Sequence, residues 1–126
     1  MAWYADLEAC SCFGERIAPI LRAVGWLERG QWFPTGGIDA QVFARPVEMR
    51  KDQWQPIVAA GFHECDLCQY ESEASGTRNL FIPRAGSLYV CPELIVHYIN
   101  AHSYVPPTEF CEALLVRGGR SLVGHA

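Results

Sequence analysis

Residues 89–107 read YVCPELIVHYINAHSYVPP and organise the second half of this sequence. The run predicts the end of a β-strand and then a helix that opens at Pro92, because proline suits the first position of a helix. His97 and His102 lie on this helix, and the two prolines at its far end force a break. Two imidazoles at this spacing are typical of one half of a Cys2His2 zinc site.

The other half of such a site lies upstream in residues 62–68, FHECDLC. Cys65 and Cys68 have the spacing of a tight turn, the knuckle, that lets both thiolates face one ion. The 28 residues between the two halves exceed the dozen or so of a DNA-binding finger. We therefore predict one zinc ion with a structural role inside a larger fold, held by Cys65, Cys68, His97 and His102.

Other cysteine and histidine side chains leave alternatives open. His63 adjoins the knuckle and Cys91 precedes the predicted helix, so either could replace one of the helical histidines. Cys10 and Cys12 could join a second metal site or pair with Cys111, but unliganded thiols are the simpler interpretation.

The spacing of the two histidines also constrains the helix. On a regular helix, positions five apart lie about 140° from each other. His97 and His102 then cannot both face one ion, so we expect the helix to tighten or end between them. Asn100 is one of the few residues other than glycine that readily adopts the left-handed conformation of a helix end.

The sequence favours a structural metal over a catalytic one. It lacks the H-E-x-x-H pair, and it lacks the H-x-E and P-C-x-x-C order of the zinc deaminases. Four strong ligands make a closed site, whereas a catalytic zinc keeps one position open. The leading function is a non-enzymatic, zinc-stabilised protein-binding or adaptor module. The alternative is a small metal-dependent enzyme that uses His63 and Glu64 beside the zinc.

Composition restricts the partners and the compartment. The net charge of −4 and the single lysine leave no basic patch for phosphates, so we do not expect nucleic-acid binding. We expect the partner to be another protein or a second copy of the chain. No apolar run is long enough for a bilayer and the first residues lack a signal-peptide pattern, so we expect no membrane association and a cytoplasmic protein. In that compartment the six cysteines are thiols or metal ligands rather than disulfides.

Residues 1–55 are predicted to form a helical N-terminal part. Apolar residues recur with the spacing of one helix face between Ile17 and Val24, and Gly25 ends that helix. Asp39 is expected to cap a second helix, which Pro46 bends or interrupts.

Residues 56–118 are predicted to form the zinc-binding module. The runs at 80–82 and 88–90 are rich in β-forming residues and joined by PRAG, which predicts a β-hairpin. Thr108 is expected to cap a last helix. Together these patterns predict a single α+β domain over residues 1–126, with N-terminal helices followed by a β-hairpin-plus-helix zinc module.

The aromatic residues suggest a partner surface. Trp32, Phe33 and Tyr104 lie in turn-like segments and could form an exposed apolar patch. In the alternative, Tyr104 only buttresses the zinc site. We expect the four tryptophans mostly to fill the core.

Four runs carry a resemblance to a known family: AVGWLERGQWFPTG, WQPIVAAGFHECDLC, NLFIP and YVCPELIVHYINAHSYVPPTEF. They resemble a family of small, uncharacterised bacterial proteins with the pattern GWLxxG, HxCxxC, NLFxP and Y-x-x-PELIxHYIxxHxYxPPxxF. The resemblance covers roughly residues 6–116 and implies a bacterial cytosolic protein in which the four proposed ligands act as one unit. It implies no particular activity. Cys91 stands where this pattern has a small residue such as alanine, which argues against it as a ligand.

Overall fold

A computed structural model of the chain describes residues 3–10, 16, 19–51, 63–65, 67–68, 75–76 and 78–117. In chain order the elements are β1 (Leu21–Ala23), α1 (Ala40–Met49), β2 (His63–Glu64), β3 (Ser75–Gly76), β4 (Asn79–Arg84), β5 (Ser87–Pro92), α2 (Ile95–His102) and α3 (Thr108–Arg117). This mixture of helices and strands confirms the predicted α+β class.

The main sheet has three strands in the order β1-β5-β4. β4 and β5 form the predicted hairpin, in which Arg84 pairs with Ser87 across a two-residue turn. Ala85 and Gly86 in that turn both have positive φ, at 48° and 85°, as the tight turns that suit twisted hairpins require. β1 pairs in parallel with the edge of β5 that faces away from β4. β2 and β3 pair with each other in a separate antiparallel ribbon.

β1 is a strand where the spacing of apolar residues predicted the first helix, so that prediction is wrong. Leu21 and Ala23 are buried and Arg22 between them is half-buried, which is the alternation of a strand. Residues 4–9 cover the free edge of β1. There the Leu7 N–H donates to the Ala23 carbonyl at 2.6 Å. Backbone pairing on both edges therefore fixes this segment as extended chain.

The second predicted helix is confirmed as α1. The Asp39 side chain caps it by accepting a hydrogen bond from the Gln41 N–H at 2.7 Å. The helix runs through Pro46 to Met49, so the proline does not interrupt it. Val42, Pro46 and Met49 are buried, which directs one face of α1 toward the core.

Two buried clusters fill the space on either side of the sheet. The larger, the helix-side core, joins the three helices to one face of the hairpin through Leu80, Ile82, Tyr89 and Cys91. The smaller, the second core, contains the side chains that point the other way: Cys10, Leu21, Ala23, Trp26, Phe81, Leu88 and Val90. Alternate residues of β4 and β5 thus serve opposite clusters, as the pleat of a strand requires.

The start of α2 differs from the prediction. Pro92 is the last residue of β5, and the helix begins three residues later, at Ile95. Between them, the Glu93 N–H donates to the Arg78 carbonyl, while the Glu93 carboxylate accepts from the Arg78 N–H, both at 3.0 Å. This reciprocal pair extends the hydrogen bonding of the hairpin and delays the helix.

The last predicted helix is present as α3, but Thr108 is its first residue rather than its cap, and the Pro107 carbonyl at the cap position accepts from the Cys111 N–H at 3.1 Å. In the parts of the chain that the structure describes, no helix combines the length and apolar character needed to cross a membrane. The division into residues 1–55 and 56–118 stays a prediction.

Candidate metal centre

Four side chains converge beside α2, and they are the four predicted from the sequence. Cys65 directly follows β2 and Cys68 lies three residues later, while His97 and His102 belong to α2. Their ligand atoms all lie within 4.8 Å of one another. Cys65 is buried and the other three are half-buried, so the cluster lies at the boundary between the helix-side core and solvent.

Three of the six distances between these atoms are close to those of tetrahedral coordination. The Cys65 Sγ lies 3.4 Å from the His102 Nε2. The Cys68 Sγ lies 3.4 Å from the His97 Nε2 and 3.6 Å from the His102 Nε2. With metal–sulfur bonds of about 2.3 Å and metal–nitrogen bonds of about 2.0–2.1 Å, two ligands of a tetrahedral zinc ion lie about 3.6 Å apart. The donor set and its spacing therefore fit such an ion.

The end of α2 brings the two histidines together in a way that the sequence did not predict. The helix neither tightens nor ends between them, because it continues to His102, and Ser103 rather than Asn100 is left-handed (φ 57°). The Ser103 N–H bonds to the carbonyl of Tyr98, five residues back instead of four, which is the wider closure of a π-type turn. A wider turn reduces the angle between positions five apart. The imidazole rings of His97 and His102 accordingly lie 5.1 Å apart.

The knuckle is held by hydrogen bonds to backbone groups. The N–H groups of Leu67 and Cys68 bond to the Cys65 sulfur and favour its thiolate. The guanidinium of Arg29, which lies outside the knuckle in sequence, donates to the Cys68 carbonyl at 2.6 Å. Sequence reasoning missed Arg29, because an arginine in a connecting segment 39 positions upstream gives no spacing signal.

Burial shifts the acid–base properties of the cluster. It raises the pKa of the Cys65 thiol, and the neighbouring Cys68 raises it further. It lowers the pKa of His97, and the nearby His102 adds to that effect. The lowered pKa favours the neutral imidazole, which is the form that binds a metal. The raised pKa of the Cys65 thiol means that positive charge from an ion favours the thiolate form of this sulfur.

The structure does not bring Cys91 to this cluster. Cys91 is fully buried in the helix-side core, where burial raises its pKa. Cys10 and Cys111 lie in different clusters and do not form the disulfide that the sequence left open. Cys12 lies outside the described residues, and so does the side chain of His63.

The predicted aromatic patch does not exist as a surface of three residues. Tyr104 is fully buried, and Phe33 is half-buried against it with ring centroids 6.1 Å apart. Trp32 is 84% exposed, so it departs from the expectation that the tryptophans fill the core. The burial of Tyr104 agrees with the alternative, that Tyr104 only buttresses the zinc site, and its N–H bonds to the carbonyl of Tyr98 on the helix that carries both histidines.

A half-buried carboxylate, also missed from the sequence, explains how Tyr104 is held. The Tyr104 hydroxyl donates to Asp6 Oδ2 at 2.8 Å, and the Gly25 N–H donates to Asp6 Oδ1 at 3.0 Å. Asp6 therefore connects the N-terminal segment to the chain two residues beyond His102. Burial raises the pKa of Asp6 despite these two hydrogen bonds.

Most of the chain matches a known protein family. The family model described as Domain of unknown function (DUF7919) matches residues 2–115. The chain belongs to this family. The match spans all four converging side chains, so the cluster lies within the DUF7919 domain. No curated protein and no solved structure matches the chain. The DUF7919 match confirms a family without assigned function, while the bacterial origin and the motif pattern given above stay predictions.

Proposed function

We propose that the protein binds one zinc ion through Cys65, Cys68, His97 and His102, and that the ion stabilises the fold. The observation that carries the proposal is the convergence of two sulfurs and two imidazole nitrogens, with three sulfur–nitrogen distances of 3.4–3.6 Å that match tetrahedral spacing. Thiolate and neutral imidazole together suit the borderline-soft zinc ion. The N–H bonds to the Cys65 sulfur support the same assignment, because they offset part of the effect of burial and so make the thiolate easier to form when an ion binds.

The geometry supports a structural ion better than a catalytic one. A catalytic zinc has three protein ligands and an open position, whereas four side chains here approach a common centre. We therefore propose a non-enzymatic, zinc-stabilised module that binds another protein or a second copy of itself. The acidic net charge of −4 and the exposed Trp32 support a protein partner over nucleic acid. A reducing cytoplasm, the compartment that we propose, keeps both thiols available as ligands.

Replacing one ligand tests the zinc centre, with a matched replacement of a cysteine outside it. Cys68→Ser removes a ligand. Cys111→Ser changes a half-buried thiol outside the centre, which makes a weak hydrogen bond to the Pro106 carbonyl. We expect one zinc per chain in the parent and in Cys111→Ser by elemental analysis, and much less in Cys68→Ser. If the ion contributes about 3 kcal/mol, its loss lowers the melting temperature by about 10 °C at this chain length.

Other results of the same measurements would contradict the zinc centre. Equal zinc content and equal melting temperatures in Cys68→Ser and the parent would show that the four side chains form only a hydrogen-bonded cluster. X-ray absorption on the zinc-loaded protein distinguishes the two functional classes. Two sulfur and two nitrogen ligands support the structural role, whereas three protein ligands and a water support the small metal-dependent enzyme.

A further inference from the structure

Residues 29–36 form a loop, called here the Trp32 loop, whose ends contact both halves of the candidate metal centre. At its first end, the Arg29 guanidinium donates to the carbonyl of Cys68. At its far end, the Gly36 N–H donates to the carbonyl of Ser103 at 2.9 Å, one residue after α2. The loop therefore bridges the knuckle and the end of the histidine-bearing helix.

Further contacts fix the far end of the loop to the segment that follows α2. The Val105 N–H donates to the Pro34 carbonyl at 3.0 Å, and Thr35 forms an antiparallel bridge with Tyr104. The Phe33 ring packs edge-on against the buried Tyr104 ring. This end of the loop thus follows the position of the chain just beyond His102.

Trp32 lies between these two sets of anchors with its side chain in solvent. A tight turn precedes it, in which the Gln31 N–H donates to the Glu28 carbonyl at 3.1 Å and Gly30 has a φ of 92°. Trp32 is therefore exposed on a short segment that is anchored on both sides.

We propose that metal binding orders the Trp32 loop and so controls how Trp32 is presented to a partner. This inference rests on the proposed zinc centre. An ion that binds Cys68 and His102 together fixes the distance between the two places where the loop is anchored. Both sets of loop hydrogen bonds then form at once. Because coupling between two binding events is reciprocal, the anchored loop also strengthens metal binding by the same factor.

The test measures zinc affinity and loop order separately in the full chain. Affinity is obtained by competition with a chromophoric chelator, and order by hydrogen exchange of peptides that cover residues 29–36 and 103–105. The variants are Arg29→Ala, which removes the first anchor, and Arg45→Ala, a control at an exposed arginine on α1. The amides of α1 serve as the internal reference for any general stabilisation.

We expect zinc to slow exchange of the Gly36 and Val105 amides by about tenfold more than it slows exchange in α1. Arg29→Ala should lose most of this extra slowing at saturating zinc. It should also bind zinc about tenfold more weakly, the lower end of what loss of a supporting contact costs a metal site. Arg45→Ala should match the parent in both measurements.

Three results would overturn the proposal, and they distinguish failure of the zinc centre from failure of the coupling. If the chelator assay shows no zinc binding, the zinc centre fails and the coupling fails with it. If zinc binds but slows exchange in the loop no more than in α1, the zinc centre stands and the coupling alone is wrong. Equal zinc affinity and equal loop exchange in Arg29→Ala and the parent would overturn the coupling in the same way.

Discussion

Replacing Tyr104 with phenylalanine isolates one hydrogen bond that holds the N-terminal segment to the chain beyond the metal-bearing helix. The Tyr104 hydroxyl donates to Asp6 at 2.8 Å, and its ring is fully buried. Phenylalanine fills the same ring volume, so the change removes the hydroxyl and leaves the packing of the helix-side core in place.

The expected loss follows from the chemistry of this bond. A hydrogen bond to a charged group contributes about 1.5–3 kcal/mol. Because Asp6 is only partly buried, water can replace the lost donor, and we expect the lower part of that range, about 1.5–2 kcal/mol. For a domain of this length, the melting temperature should fall by about 5–7 °C.

Urea unfolding followed by circular dichroism measures the loss, with Tyr89→Phe as the matched control. Tyr89 is also a buried ring whose hydroxyl donates to a carboxylate, but its partner Glu109 is exposed. We expect the control to lose less than about 1 kcal/mol. If Tyr104→Phe is no less stable than Tyr89→Phe, the bond to Asp6 does not hold this segment and the reasoning is refuted.

Three further predictions concern pH, backbone conformation and metal removal. Burial raises the pKa of Asp6 in the folded protein above its ordinary value of 3.8, so the folded state favours the protonated carboxyl. The stability that this protonated form contributes is therefore complete below pH 3.8 and is lost as the pH rises through the folded pKa. Between about pH 4 and pH 7, the urea midpoint of the parent should therefore fall relative to that of Asp6→Asn. A difference between the two midpoints that stays constant over this range would contradict the prediction. Gly25→Ala should lower the free energy of unfolding by about 2–3 kcal/mol, because φ is +76° and the new Cβ would lie 3.2 Å from Ile95. Gly30→Ala, where φ is +92° and the space is open, should lose only the backbone part, about 1–2 kcal/mol. Equal losses in urea unfolding would show that Ile95 plays no role. In scanning calorimetry, EDTA should lower the melting temperature of the parent to that of Cys68→Ser and leave the variant unchanged, and an equal effect on both would point to metal bound elsewhere.

Local signals in the sequence predicted the elements that local chemistry determines. The cap at Asp39 and the hairpin that reverses within residues 83–86 each involve groups only a few positions apart. β1 could not be predicted in this way. Its apolar spacing fits a helix face, but its backbone bonds go to residues 4–9 and to β5, and no short window of sequence contains those partners.

The same distinction applies to the candidate centre. Cysteine and histidine spacing identified all four converging side chains, because ligand chemistry restricts both residue type and separation. Arg29 and Asp6, which hold the knuckle and Tyr104, were not predicted. A guanidinium or a carboxylate that bonds to a distant backbone or hydroxyl group has no characteristic neighbour in sequence, so only the folded arrangement reveals it.

The parallel pairing of β1 with β5 has a consequence for synthesis on the ribosome. Leu21 pairs with Leu88, so the three-stranded sheet cannot be completed until the segment that forms β5 has left the exit tunnel. At about 5–20 residues per second, the nascent chain carries β1 without that partner for several seconds. Residues 4–9 can pair with one edge of β1 during this time, while the other edge stays open to chaperones or to neighbouring nascent chains. Translation that stops before β5 therefore yields an aggregation-prone fragment rather than a smaller folded protein.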